Sequence, residues 1–181
     1  MREQLLTDRL ILRDISESDA ESLLELDSDP EVMRYVGPRP ATDVAWYRER
    51  TQKMYIPLQA HRWHGVRIVL DRASGMFLGW VFTRPAGDSP IACEIGWTQS
   101  DEVEIGYRYR RSAWGRGVAT EAAMPLLQIA LADPATTAVV AWALAGNTGS
   151  LRVLEKLGLQ RIEEVMLPGA TQPTVKLARV R

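Results

Sequence analysis

The join across residues 104–131 constrains this chain most. EIGYRYRR at 104–111 looks like a strand, and SAWGRGVATE at 112–121 places Gly115 and Gly117 one residue apart. From Gly117 onward, Ala119, Ala122, Ala123, Leu126, Leu127, Ala130 and Leu131 recur at steps of three and four, the face of a helix packed on a sheet. Thr136–Leu144 is again rich in β-formers. Strand, long helix and strand in succession imply a right-handed parallel crossover. Pro125 removes one hydrogen bond of that helix and predicts a bend near Glu121 rather than a break.

A helix N-terminus presents unpaired N–H groups and the positive end of a dipole, so the turn into it suits phosphate oxygens. Gly115 and Gly117 leave room for a pyrophosphate against the N–H groups of Trp114 to Thr120, with the Thr120 hydroxyl as one more donor. Arg110, Arg111 and Arg116 would concentrate positive charge beside it. The alternative is a glycine turn chosen only for tight strand-to-helix packing. A dinucleotide fingerprint fails because the sixth position is Thr120 and WALAGN supplies no acid, and no Walker glycine-lysine-serine/threonine ending occurs.

The remaining elements follow from local signals. Leu5 to Asp14 reads as a first strand, and Ser18 three residues before Glu21 predicts a capping box opening a helix that Asp29-Pro30 closes. Thr42 or Asp43 caps a second helix through about Met54. His64–Leu70 and Met76–Thr83, joined by DRASG, predict an antiparallel hairpin. Ile91–Trp97 is read as a short extra strand or a strand extension, and Val103–Arg110 as the strand before the glycine turn. LRVLEKLG gives a last helix ended by Gly158, and strands near 160–167 and 174–180 finish the chain. The class is α+β (mixed α/β), expected as one domain over residues 1–181.

With 22 basic against 23 acidic residues the net charge is -1, which gives no global pull toward nucleic acid or an anionic membrane. The one cysteine, Cys93, has no partner for a disulfide and no CxxC or Cys/His cluster for a metal, and a cytoplasmic setting is expected. No apolar run is long enough to span a membrane, and MREQLLTDRLILRD is too charged for a signal peptide.

Taken together, LLTDRLILRDISESDAESL, EIGYRYRRSAWGRGVATEA and NTGSLRVLEKLGLQR resemble the opening strand and helix, the acyl-CoA loop and the closing motif of the GNAT N-acetyltransferase superfamily, in its Rim-type (ribosomal-protein N-acetyltransferase-like) branch. The resemblance covers nearly the whole chain. The superfamily loop begins Gln/Arg-x-x-Gly-x-Gly/Ala, and here Ser112 stands first. It implies a mixed, mostly antiparallel sheet of about seven strands flanked by helices, with a splayed parallel pair formed by the fourth and fifth. It also implies acetyl-CoA as cosubstrate, with no metal: pyrophosphate on Gly115, Arg116, Gly117, Val118, Ala119 and Thr120 beside Trp114, and the pantetheine arm along Tyr107, Arg108 and Tyr109.

Within that frame Glu104 lies nearest the cofactor strand and is the expected general base, directly or through water, with Glu94 as the alternative. Asn147 and Ser150 match the family's Asn-x-x-Ser variant, the amide on the cofactor arm and the serine near sulfur. Many members use a tyrosine four residues after that serine; Leu154 stands here, so protonation of the thiolate falls to Ser150. Asn147, Thr148 or Ser150 as a plain helix cap is the competing assignment. Trp46 and Trp63 fall in regions that border the acceptor groove in the family, whereas His61 and His64 are read as structural or exposed rather than catalytic. The expected activity is acetyl transfer to a primary amine, a protein N-terminus or a small molecule, with an inactive acyl-CoA-binding or protein-interaction member as the alternative. A homodimer is left open.

Overall fold

The structure, a computed structural model, describes residues 3–36, 43–61, 64–89, 92–93, 95–97 and 99–181. Its centre is an eight-stranded sheet: β1 (Leu5–Leu6), β2 (Leu10–Asp14), β3 (Gly65–Asp71), β4 (Phe77–Pro85), β5 (Glu102–Tyr109), β6 (Ala138–Leu144), β7 (Gln160–Val165) and β8 (Thr174–Val180). The strand order is β1-β2-β3-β4-β5-β6-β8-β7. Every neighbouring pair is antiparallel except β5 and β6. The sheet has one strand more than expected because Thr7-Asp8-Arg9 folds the first segment into a tight hairpin, Leu10 donating its N–H to the Thr7 hydroxyl at 3.1 Å. The expected strand at Ile91–Trp97 is absent over its described part: Ala92 and Cys93 are helical and a turn follows. Ile91 and Glu94 lie outside the described residues.

Helices cover both faces. On one, α5 (Val118–Ala132) and α6 (Thr148–Lys156) pack Ala122, Leu126, Leu127, Leu151 and Leu154 against Val81, Ile105, Val139 and Leu177. The spacing that marked the α5 stripe is thus the packed stripe, and the helix continues unbroken through Pro125. On the other face, α1 (Ala20–Ser28) and α3 (Val44–Arg50) bury Ala20, Leu23 and Tyr47 with Val66 and Ile68. The capping box sits earlier than expected: Asp19 accepts from the Ser16 N–H at 2.8 Å, so a 3-10 turn at Glu17–Asp19 precedes α1. A short α2 (Pro30–Met33) follows.

Asp43 caps α3, accepting from the Trp46 N–H at 2.8 Å. Past Arg50 the helix widens into a π-turn, Thr51–Tyr55, before the single turn α4 (Ile56–Leu58). Pro57 has no N–H for the carbonyl one α-turn back and its ring would press on it; the wider turn relieves both problems.

Candidate active site

The parallel pair β5/β6 is registered over three residues only, Glu102↔Ala138 to Glu104↔Val140. Past that point β5 runs on to Tyr109 beside β4 while β6 runs on to Leu144 beside β8, so the two strands splay. Backbone groups that would otherwise pair are left facing a cleft at the carboxyl ends of the strands, where open α/β sheets place ligands. The cleft is about 460 Å³ and is lined by Tyr107, Tyr109, Trp114, Gly117, Asn147 and Ser150, among others.

The turn into α5 forms one wall. Gly115 and Gly117 have φ of 70° and 78°, a left-handed backbone that side chains disfavour, and Gly117 is the N-cap. A Cβ on Gly115 would meet nothing within 4 Å, so tight packing against the protein is not what excludes a side chain there. Val118, Ala119 and Thr120 face the cleft with their helix N-terminus. Arg116 does not line it; its guanidinium turns back to the Ser112 carbonyl at 3.3 Å. Arg9 braces the loop from the far side, binding the Arg116 carbonyl at 3.0 Å and the Glu121 carboxylate at 2.6 Å. Burial raises the pKa of Glu121, but the Thr7 hydroxyl and the Arg9 N–H and guanidinium outweigh it and hold the carboxyl below its usual range.

The expected cluster of arginine charge is redistributed. Arg110 pairs with Glu25 at 2.7 Å and Arg111 with Asp29 at 2.6 Å, fastening β5 to α1. Among the described residues, the positive side chains lining the cleft are Arg108 on β5 and Arg152 and Lys156 on α6. The latter two were visible in the sequence as a helical face shared with Gly149 and Val153, a signal of spacing alone.

At the start of α6, Asn147 is the N-cap: its side-chain oxygen accepts from the Ser150 N–H at 3.2 Å, leaving the amide NH2 over. Ser150 is therefore not the cap, and its hydroxyl is free to meet a neighbour. That neighbour is Tyr107, whose Oη lies 3.1 Å from both the Ser150 hydroxyl and its carbonyl oxygen. Burial raises the Tyr107 phenol pKa, so it stays protonated and able to donate. Leu154, where a tyrosine was looked for, is buried in the core.

Glu104 sits at the last registered position before the splay and is 5% exposed. Both oxygens are engaged: Arg84 Nε donates to one at 2.5 Å and the Trp142 indole to the other at 3.0 Å. Desolvation raises its pKa, against the pull of Arg84 and Trp142.

A second, smaller pocket of about 180 Å³ opens on the opposite face of β4 and β5 and shares Val36 and Arg108 with the first. Trp46 lines it, with Tyr47, Tyr55 and Trp80. Trp63 lies outside the described residues.

The chain as a whole has relatives among known proteins. A family model of the acetyltransferase (GNAT) domain matches residues 9–160. The chain belongs to the GNAT acetyltransferase family. Among its relatives, the uncharacterized N-acetyltransferase p20 of Bacillus licheniformis is 31% identical over 162 residues, 88% of this chain and 83% of that protein. Two solved structures share the fold of this GNAT chain. RimL, a ribosomal L7/L12 alpha-N-protein acetyltransferase in complex with coenzyme A, superposes with a TM-score of 0.76 at 17% identity, covering 98% of each chain. The aminoglycoside acetyltransferase AAC(6')-Ib with coenzyme A and kanamycin gives 0.74 at 22%, covering 95% of each. The chain is thus an acyl-CoA-dependent acetyltransferase with acetyl-CoA as cosubstrate, built as a mixed α+β GNAT fold.

Proposed function

We propose that this acetyltransferase takes acetyl-CoA into the larger cleft and transfers the acetyl group directly to a primary amine arriving from the smaller pocket. One observation carries this: the β5/β6 splay opens onto both the glycine-turned N-terminus of α5 and the Ser150–Tyr107 hydroxyl pair. The residues present fit the cosubstrate. The N–H groups of Val118, Ala119 and Thr120 meet the pyrophosphate with Arg152 and Lys156 alongside, and Trp114, Gly115, Arg116 and Gly117 form the loop backbone. The strand Tyr107, Arg108, Tyr109 and the spare amide of Asn147 hold the pantetheine arm.

In the reaction the amine nitrogen forms a bond to the thioester carbonyl carbon and the C–S bond breaks. A backbone N–H of the Tyr107 strand stabilises the oxyanion. Glu104, its pKa raised by burial, receives the amine proton through water. Ser150 gives its hydroxyl proton to the departing thiolate and recovers one from the Tyr107 phenol or solvent.

The opening strand and helix favour the Rim-type branch, and residues 1–181 are proposed as one GNAT domain. The single cysteine favours a cytoplasmic setting, and the near-zero charge favours neither nucleic acid nor membrane as partner. No helix among the described residues is long and apolar enough to cross a membrane.

The test is a thermal shift followed by turnover. CoA or acetyl-CoA should raise Tm and NAD should not, because a ligand of the folded state stabilises by mass action. Thiol release from acetyl-CoA should then depend on an added amine. A CoA shift without release from any amine would favour an inactive binding protein instead.

A further inference from the structure

We infer that the acceptor is a compact amine bearing an anionic group, a carboxylate or phosphonate, which Arg50 binds in the pocket between α1, α3 and the faces of β4 and β5. This rests on the acetyltransferase assignment above and names the substrate class of that same site.

The charge balance of the pocket points this way. Among the described residues lining it, Asp27 is the acid and Arg50 and Arg108 are the bases. Asp27 is already committed: one oxygen binds the Arg108 guanidinium at 2.5 Å and the other accepts from the Tyr47 hydroxyl at 3.1 Å. That pair cancels, and Arg50 is left with no carboxylate partner among the described residues. Its guanidinium is held by neutral groups alone. Nε donates to the Tyr55 hydroxyl at 2.8 Å, and the Trp46 and Tyr55 rings lie 5.1 and 5.4 Å from its central carbon. Nε is thus occupied, while the two terminal NH2 groups, the fork that matches a carboxylate or phosphonate, have no hydrogen-bond acceptor among the described residues.

The backbone is shaped to present this group. In an α-helix, residues five apart diverge by about 140° around the axis. The π-turn at Thr51–Tyr55 brings residues five apart together, and so sets the Tyr55 hydroxyl against Arg50. Such single-turn π segments recur at functional sites. A half-buried arginine clamped between rings is also fixed in one orientation before any ligand arrives, which lowers the ordering cost of binding.

Size and sign then limit the acceptor. About 180 Å³ suits a molecule of amino-acid size. A polycation such as an aminoglycoside brings charge of the same sign as the uncompensated Arg50 and finds no open carboxylate among the described residues lining the pocket. The aromatic walls of Trp46, Tyr47, Tyr55 and Trp80 favour an apolar or aromatic body between the amine and the acid.

Steady-state kinetics with acetyl-CoA and a matched amine series decides the matter: phenylalanine, 1-amino-2-phenylethylphosphonate, phenylalaninamide, phenethylamine, kanamycin and a neutral tetrapeptide. The acid members should exceed the amide in kcat/KM by about 10- to 100-fold, the range of a hydrogen-bonded charge pair. The ratio between the carboxylate and phosphonate arms identifies which anion the fork fits. Arg50→Gln should erase most of that advantage by raising KM for the acids far more than for the amide, with CoA affinity kept, and Arg50→Lys should restore part of it. The inference is overturned if the amide, phenethylamine, kanamycin or the tetrapeptide matches the acids, if no acid is accepted, or if R50Q keeps the ratio. Failure of CoA to bind the wild-type protein would instead remove the acetyltransferase site on which all of this stands.

Discussion

The larger cleft and the smaller pocket meet at Arg108 yet are assembled in opposite ways. The cleft is made where regular elements end: β5 runs into Gly115 and Gly117 and then α5, and β6 runs into the Asn147 cap and then α6. Its donors are backbone groups and caps encoded within a few residues of each other. The pocket joins α1, α3 and the β4 and β5 faces, and its Asp27–Arg108 bridge links residues 81 positions apart. The first is a local device that many sequences can repeat; the second depends on side chains brought together by the whole fold. This difference matches the roles proposed for them, a constant cosubstrate in one and a variable acceptor in the other.

Four measurements bear on that contrast. Asp27→Ala should have the largest effect, about 3–5 kcal/mol of stability, because it removes the carboxylate that pairs with Arg108 in a mostly buried site. Chemical denaturation measures it. A loss under 1 kcal/mol would mean that the pocket is not held by long-range pairing.

Gly117→Val should weaken CoA by about 100-fold, since a β-branched residue is disfavoured at φ 78° and would shift the turn whose N–H groups face the cleft. Calorimetry on the folded variant checks this. An unchanged Kd would confine the glycine to strand-to-helix packing.

Ser150→Ala should lower kcat by roughly 10- to 100-fold with acetyl-CoA affinity nearly kept. Because Asn147 carries the cap, no cap-sized loss of Tm should accompany it. Full turnover in this variant would leave thiolate protonation to solvent or to Tyr107.

The smallest effect is one of pH. Burial, and next the nearby His61, hold the His64 pKa down to about 4 from 6.5. The unfolded chain therefore binds a proton that the folded one refuses. His64 contributes stability that is fully present above pH 6.5 and is lost as pH falls toward about 4. His64→Asn should flatten that part of the stability curve while leaving CoA binding alone. A histidine coupled to the cleft would instead shift CoA affinity over the same range.

Much of the cleft was legible in the sequence because its signals are periodic or conformational. The apolar stripe from Ala119 to Leu131 gave α5, the β-rich runs at 103–110 and 136–144 gave the strands beside it to within two residues, and the paired glycines marked the turn. Errors fell where two local options compete. Thr7-Asp8-Arg9 turns a hairpin inside what reads as one strand, and Ser16–Asp19 takes the capping box that Ser18 and Glu21 also offered.

Charge was the least legible property. Arg110 and Arg111 looked like phosphate ligands beside the glycine turn, yet they pair with Glu25 of α1 and with Asp29 just past its end, which only the fold brings near. Likewise the spacing along the chain gives no sign that Arg84 and Trp142 clasp Glu104. By itself the sequence determined the elements, the βαβ crossover and the glycine-turned helix N-terminus, since backbone conformation and hydrophobic period act over a few residues. Only the tertiary structure decided the splay after Glu104, the Tyr107–Ser150 pair and which arginine is left uncompensated. Coulomb and hydrogen-bond partners are set by distance in space, and distance in space is not carried by spacing along the chain.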